Sequence, residues 1–446
     1  MKSLCFTAGL MLAVAVSPGC SSPTHRASLS EQRDDLRRQI ETGLTDEGLP
    51  QPILAFYARR GFAPLWVGER GVTPAGKALL ATFALAGAEG LNPADYPSDE
   101  LVSDVGGPAR LEAALTKALV AYLRDRMRSP EGTIYYVDDA VPRREADPQA
   151  IMGAVASGVP LEHALAALAP PNALYRQLRE ALADYRSGRL AISDMRTKAR
   201  DEGDVERLII LNMQRTRDLP AMSRGRYLIV DTAAARLLMI EDGHIRDQMR
   251  IIIGKPEEQT PDMAGEIRFA VLNPYWNLPP DLARKRAARV IEAGPAVLDA
   301  ERIELLSGWD DSARRLHPAD VDWSAVAAGT QTLRMRQLPG ERNMMGKMKF
   351  MLPNRLGIYL HDTPAKAAFL KADRRLSSGC VRVEDAERLA RWLFGGDVPR
   401  AGTKPEWRAD LPHPVPVYIL YLTAFPGGSG LLLRPDIYDR DRQPST

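Results

Sequence analysis

Cys380 and His361 are the residues whose types and spacing most directly allow chemistry. Cys380 sits in Ser377-Ser378-Gly379-Cys380-Val381-Arg382, nineteen residues after His361. The other two cysteines, Cys5 and Cys20, fall in a stretch that reads as an export signal, so Cys380 is the thiol expected in the mature chain. An odd thiol in an exported protein is either a liability or a working nucleophile. The thiolate is the attacking species, so Cys380 needs a base or a cation beside it. His361 is the candidate base. It closes Gly357-Ile358-Tyr359-Leu360, an expected strand that can aim an imidazole at a facing loop. Asp362-Thr363-Pro364 then turns the chain, and Ala365 to Arg374 reads as a short helix returning toward Cys380. A side chain at Gly379 would crowd the amides of Gly379 and Cys380, which are placed to stabilise an oxyanion; a plain turn glycine is the alternative. Arg382 shares the cysteine's face if the segment is extended. It fits pinning the loop and binding a substrate carboxylate equally well. Ser377 and Ser378 read as loop hydrogen-bonders rather than a second nucleophile.

The elements that must position these groups follow from hydrophobic period. Residues 51–186 read as an all-helical scaffold domain, with Leu111, Leu115, Ala118, Leu119 and Tyr122 at helical spacing, and Tyr175, Leu178, Leu182 and Tyr185 after the break at Pro170-Pro171. Residues 187–224 read as a connector with one helical stretch from Val205 to Arg215. From Arg226 the period changes to strands: Tyr227 to Asp231, Arg236 to Ile240, a tight Asp242-Gly243 turn, Met249 to Ile253, Ile267 to Leu272, Leu356 to Leu360 and Val415 to Leu422. The expected class is therefore α+β, a helical domain followed by a mainly antiparallel β domain over 225–426. Residues 280–336 have little β character and read as an inserted lid. After Cys380, Glu384-Asp385 opens a helix with Ala386, Leu389, Ala390, Leu393 and Phe394 on one apolar face.

Residues 1–20 show a charged start at Lys2, an apolar run from Leu4 to Val16 and small residues, the layout of a secretory signal too short to span a membrane. Ser17-Pro18-Gly19-Cys20-Ser21-Ser22 resembles a bacterial lipoprotein site with Cys20 lipidated, although Ser17 stands where leucine is usual; ordinary cleavage near Gly19 is the alternative. With Ser21 rather than aspartate next, the outer membrane is the expected anchor, and the mature chain is expected in the periplasm. Residues 21–50 read as a polar tether or frayed helix, and 427–446 as a C-terminal tail. The 59 basic and 57 acidic residues nearly balance, so no broad field for nucleic acid is expected. His25, His163, His244, His317 and His413 lie too far apart for metal-ligand spacing, and no glycine-rich phosphate loop occurs, so neither metal nor cofactor is expected.

His361-Asp362-Thr363-Pro364 followed by Ser377-Ser378-Gly379-Cys380-Val381-Arg382 resembles the active-site signature of the L,D-transpeptidases, the YkuD domain family, and is most similar to its long, YcbB-like branch. Ile253-Gly254-Lys255-Pro256 with Thr260-Pro261, Leu272 to Pro279, Gln337-Leu338-Pro339-Gly340 with Asn343, and Lys349-Phe350 extend the likeness, as do Phe56-Tyr57 to Leu65-Trp66 and Gly90-Leu91-Asn92-Pro93 in the helical part. The chain departs from that branch between Tyr185 and Arg226, which is too short for a peptidoglycan-binding module. The resemblance implies that Cys380 attacks the diaminopimelate carbonyl of a tetrapeptide stem, expels D-alanine and forms a thioester. A second stem's diaminopimelate amine then resolves it into a direct cross-link. It also implies that Tyr359, Ser378 and Gly379 line the site, that Asp362 acts on His361 through its main chain, that 280–336 caps the substrate, and that carbapenem-type inhibitors acylate Cys380. With water as acceptor the same acyl-enzyme is an L,D-carboxypeptidase; with a lysine amine it anchors proteins to the wall. A non-catalytic wall-binding lipoprotein would need neither Cys380 nor His361. A papain-like peptidase would place its histidine after its cysteine.

Overall fold

The computed structural model describes residues 29–100, 106–141, 143–169, 171–194, 202–221, 225–310, 312–427 and 430–442. The export segment and Cys20 lie outside them. Among the described residues the first domain contains the helices α1 (Leu29–Asp46), α2 (Gln51–Arg59), α3 (Pro74–Ala84), α4 (Pro108–Met127), α5 (Pro148–Val155), α6 (Leu161–Leu168) and α7 (Ala173–Arg186), with a small hairpin of β1 (Val67–Gly68) and β2 (Gly71–Val72). Their apolar stripes meet around Tyr57, Trp66, Leu79, Phe83 and Leu115. Buried Glu112 accepts the N–H groups of Leu65, Trp66 and Val67 and the Tyr57 hydroxyl, which satisfies four donors at once. Within 21–50, residues 29–46 form helix α1 rather than a polar tether. Leu36, Ile40 and Leu44 recur at one helical face of α1, and Ile40 and Leu44 are fully buried in this core.

The second domain holds β5 (Arg226–Asp231), β6 (Arg236–Glu241), β7 (His244–Gly254), β8 (Met263–Leu272), β12 (Met348–Met351), β13 (Leu360–His361), β14 (Arg375–Ser377), β15 (Val381–Val383) and β16 (Trp407–Leu420). The strand order β12-β13-β15-β7-β6-β5-β16-β8 closes on itself, because β8 also pairs with β12, Met348 opposite Leu272. Pairing is mostly antiparallel, but β13 with β15, β5 with β16 and β14 with β7 are parallel. Leu228, Val230, Ile251, Phe350, Leu360 and Val381 fill the interior. The alternate residues Tyr227 and Ile229 face outward into a second apolar layer, so β5 reads as a continuous apolar run. Asp242 and Gly243 both have positive φ in the two-residue β6–β7 turn.

The described parts of the connector and of the tail belong to the packed fold. Helix α8 (Glu202–Thr216) packs on α7. Strand β4 (Ile192–Asp194) pairs with β18 (Gly430–Leu433), which pairs with β17 (Ala424–Gly427). Buried Arg215 and Asp441 join at 2.9 Å, and the Tyr438 hydroxyl donates to the Gly254 carbonyl at 2.5 Å. The first domain also lends β3 (Tyr135–Tyr136), parallel to β8.

Between β8 and β12, which are paired neighbours, the chain leaves to form a subdomain with its own core. It contains β9 (Trp276–Asn277), α9 (Pro280–Ala293), α10 (Ala296–Ala300), β10 (Ile303–Leu306), α11 (Trp323–Ala328) and β11 (Arg334–Gln337). Its sheet draws in Trp276, so it starts a few residues before Pro280. Among the described residues no helix is long and apolar enough to cross a membrane.

Candidate active site

Strands β13 and β15 run parallel with Leu360 opposite Val381 and His361 opposite Arg382. Leu360, Val381 and Val383 point into the barrel, so the alternate residues Tyr359, His361, Cys380 and Arg382 project together from its outer face. The inserted subdomain hangs from β8 and β12 on this side. A helix anchors the segment after the thiol: α12 (Ala386–Phe394) is capped by Asp385, whose carboxylate accepts the Arg388 N–H at 2.9 Å, and it buries Ala386, Leu389, Ala390 and Leu393.

Cys380 is half-buried, and its thiol donates to the Gly357 carbonyl at 3.5 Å. Burial pushes the thiol up in pKa, while the N–H and hydroxyl of Tyr359 and the Arg382 guanidinium favour the thiolate. Burial holds the Tyr359 phenol well above its ordinary range, so it stays a neutral donor. Tyr359 and His361 have ring centroids 5.8 Å apart. His361 is 2 % exposed, and its Nδ1 lies 2.5 Å from the Asp362 carbonyl oxygen. That bond assigns the proton to Nδ1 and leaves Nε2 free to accept. Burial first, and then the Arg382 charge, lower the imidazole to about 3 against the pull of Asp362. The resting pair is therefore a neutral imidazole and a thiol.

Asp362 hydrogen-bonds His361 through its main-chain carbonyl, and its carboxylate acts on the ring only through its charge. Its carboxylate turns to the other side, where it accepts the Lys347 N–H at 2.8 Å and pairs with Lys366 at 2.6 Å. Gly346 allows this approach, since a Cβ there would stand 2.3 Å from Asp362 Oδ2. Gly379 has φ +103°, a conformation that favours glycine, and an added Cβ would press on Ile358 at 3.1 Å. Among the described residues no acceptor takes the N–H of Gly379 or Cys380, so both remain available to an oxyanion. Ser378 is exposed and helps hold the Glu258 carboxyl below its ordinary range, whereas buried Ser377 donates to the Cys380 carbonyl at 2.6 Å. Arg382 lies partly buried with Nε unpartnered, and no carboxylate pairs with it among the described residues.

Several residues that sequence reasoning did not assign to the site hold it in shape. Thr260, fully buried, accepts the Gly254 N–H at 3.0 Å and donates to the Gly379 carbonyl at 2.8 Å, tying β7 to the Gly379-Cys380 loop. Lys349 stands opposite His361 on β12 and pairs with Glu406. Thr260 and Lys349 appeared in stretches that carried the family likeness, but nothing local marks a threonine or a lysine as part of a site. Glu406 carried no such signal.

Residues 51–182 match the Scaffold domain model, and residues 225–419 match the L,D-transpeptidase catalytic domain, YkuD. A Haemophilus influenzae protein named "Putative L,D-transpeptidase" is 29% identical over 409 residues, covering 88% of this chain and 79% of that protein. Among solved structures, an L,D-transpeptidase from Mycobacterium smegmatis is 12% identical, with 44% of this chain and 58% of that chain covered and a TM-score of 0.21. The Ldtfm–avibactam carbamoyl enzyme is also 12% identical, with 55% and 80% covered and a TM-score of 0.22. Likenesses this loose carry no weight beside the two domain matches. Those matches together span most of the chain, and it belongs to the YkuD L,D-transpeptidase family in its Scaffold-bearing form.

Proposed function

We propose that this protein forms diaminopimelate-to-diaminopimelate cross-links in peptidoglycan through a thioester on Cys380. The observation that carries this reading is the shared outer face of β13 and β15. It presents a thiol, a neutral imidazole with a free Nε2 and two unengaged N–H groups within one rigid patch. Cys380 passes its proton to His361 as its sulfur attacks the carbonyl of the third stem residue. The N–H groups of Gly379 and Cys380 receive the developing oxyanion. Collapse breaks the bond to D-alanine, and His361 returns the proton to the leaving amine. In the second half, the acceptor amine attacks the thioester, its proton goes to His361, and the departing sulfur recovers it as thiol.

Tyr359 holds the sulfur, and Arg382 binds the carboxylate of the departing D-alanine, which supplies its missing anion. A carbapenem-type ring is expected to acylate the same sulfur. The apolar run from Leu4 to Val16 and the setting of Cys20 support export, with lipid tethering to the outer membrane. The test is incubation of purified protein with tetrapeptide muropeptides and analysis of products by mass spectrometry. A cross-linked dimer lacking one D-alanine supports the proposal. A tripeptide monomer alone identifies a carboxypeptidase, and unchanged muropeptide with intact protein removes the catalytic reading.

A further inference from the structure

Lys349, His361 and Arg382 stand in register on the adjacent strands β12, β13 and β15. Directly paired residues project to the same side of a sheet. The imidazole thus has a cation on each side, and the two cations are two strand spacings apart, about 10 Å between Cα atoms. Arg382 has its part in the acyl-transfer reading; Lys349 has none there. Its side chain is 16% exposed, and its carboxylate partner is Glu406, reached at 3.3 and 3.4 Å. Those contacts are long for charge-assisted hydrogen bonds. Glu406 is already engaged, because its Oε1 accepts the Tyr275 N–H at 2.5 Å where the inserted subdomain leaves the barrel. The result is an ammonium and a carboxylate, loosely joined and set beside the reacting pair.

Resting on the acyl-transfer reading, we propose that Lys349 is a specificity-determining residue that binds the free carboxylate at the far end of the donor's diaminopimelate side chain. That end is an amino-acid head group, an ammonium and a carboxylate on one carbon. The Lys349–Glu406 pair matches it charge for charge. The head group lies on the opposite side of the attacked carbonyl from the D-alanine carboxylate. Lys349 and Arg382 therefore bracket the scissile bond from its two sides. In the acceptor stem the same amine must be free to attack, so the pair serves the donor. The substrate class selected is a tetrapeptide donor whose diaminopimelate carboxylate is not amidated.

The experiment compares D-alanine release from two purified disaccharide-tetrapeptide donors, one with the free carboxylate and one with it amidated. Wild-type protein is expected to favour the free acid by about tenfold in kcat/KM, in keeping with a hydrogen bond between charged groups. Lys349→Met brings that ratio close to one through a higher KM for the free acid, and Lys349→Arg restores the preference. The restoring variant separates recognition from a folding defect. A ratio near one in wild type overturns the proposal, and so does the same ratio in wild type and Lys349→Met. Release from neither donor by wild type overturns the acyl-transfer reading itself, and this inference with it.

Discussion

Replacing Arg382 by methionine removes the cation from beside the nucleophile while keeping a chain of similar length. Two residues along an extended strand are separated by about 6.6 Å. At that distance two unit charges at an effective dielectric of ~20 interact by about 2.5 kcal/mol. Cys380 retains some solvent contact, so about half of this is expected to survive, close to tenfold in the thiolate fraction at neutral pH. The sign is fixed by the charge. Without the guanidinium the thiolate is less favoured, so the thiol titrates still higher, and the imidazole is less strongly held neutral. The assay is iodoacetamide alkylation of Cys380 as a function of pH, followed by intact mass. Arg382→Met should alkylate about tenfold more slowly at pH 7, with its curve moved to higher pH, and Arg382→Lys should recover most of the rate. A folded Arg382→Met protein that alkylates at the wild-type rate would refute the electrostatic reasoning.

Gly379→Ala forces a side chain onto a backbone at φ +103° and against Ile358. A cost of about 1–3 kcal/mol in stability and a fall of about a hundredfold in donor turnover are expected, measured by denaturant melts and D-alanine release. Thr260→Val leaves the Gly254 N–H and Gly379 carbonyl without their shared hydroxyl. It should cost about 1–3 kcal/mol and slow alkylation of Cys380 as the loop loosens. Burial holds His361 at about 3 in the fold, against an ordinary 6.5 when unfolded, so the unfolded chain binds the extra proton. Stability is then full above pH 6.5 and falls by roughly 4 kcal/mol as pH drops toward 3. His361→Gln should flatten that part of the pH–stability curve.

Cys380 and His361 stood out as the candidate pair because cysteine and histidine are rare enough in this chain to carry meaning alone. The helix behind the thiol was legible too, since Asp385 and the spacing of Ala386, Leu389, Ala390 and Leu393 form a cap and stripe within nine residues. Strands β5, β6 and β7 announced themselves through period and the Asp242-Gly243 turn. What escaped was long-range. The closing of the barrel rests on the pairing of Met348–Met351 with Phe269–Leu272, and no local pattern encodes a partner. The C-terminal segment read as a tail because Asp436, Arg440 and Asp441 look solvated. Their charges are instead spent on Tyr421, Asp262 and Arg215 inside the fold. In α1 the apolar stripe was present at Leu36, Ile40 and Leu44, but the surrounding charges masked it.

The most direct test of the central claim is peptide mapping of protein quenched in acid during reaction with a tetrapeptide donor. The expected result is a mass increase equal to the donor less D-alanine, located on the peptide containing Cys380, released by hydroxylamine and missing from Cys380→Ala. An adduct on another residue, or full D-alanine release by Cys380→Ala, would contradict it.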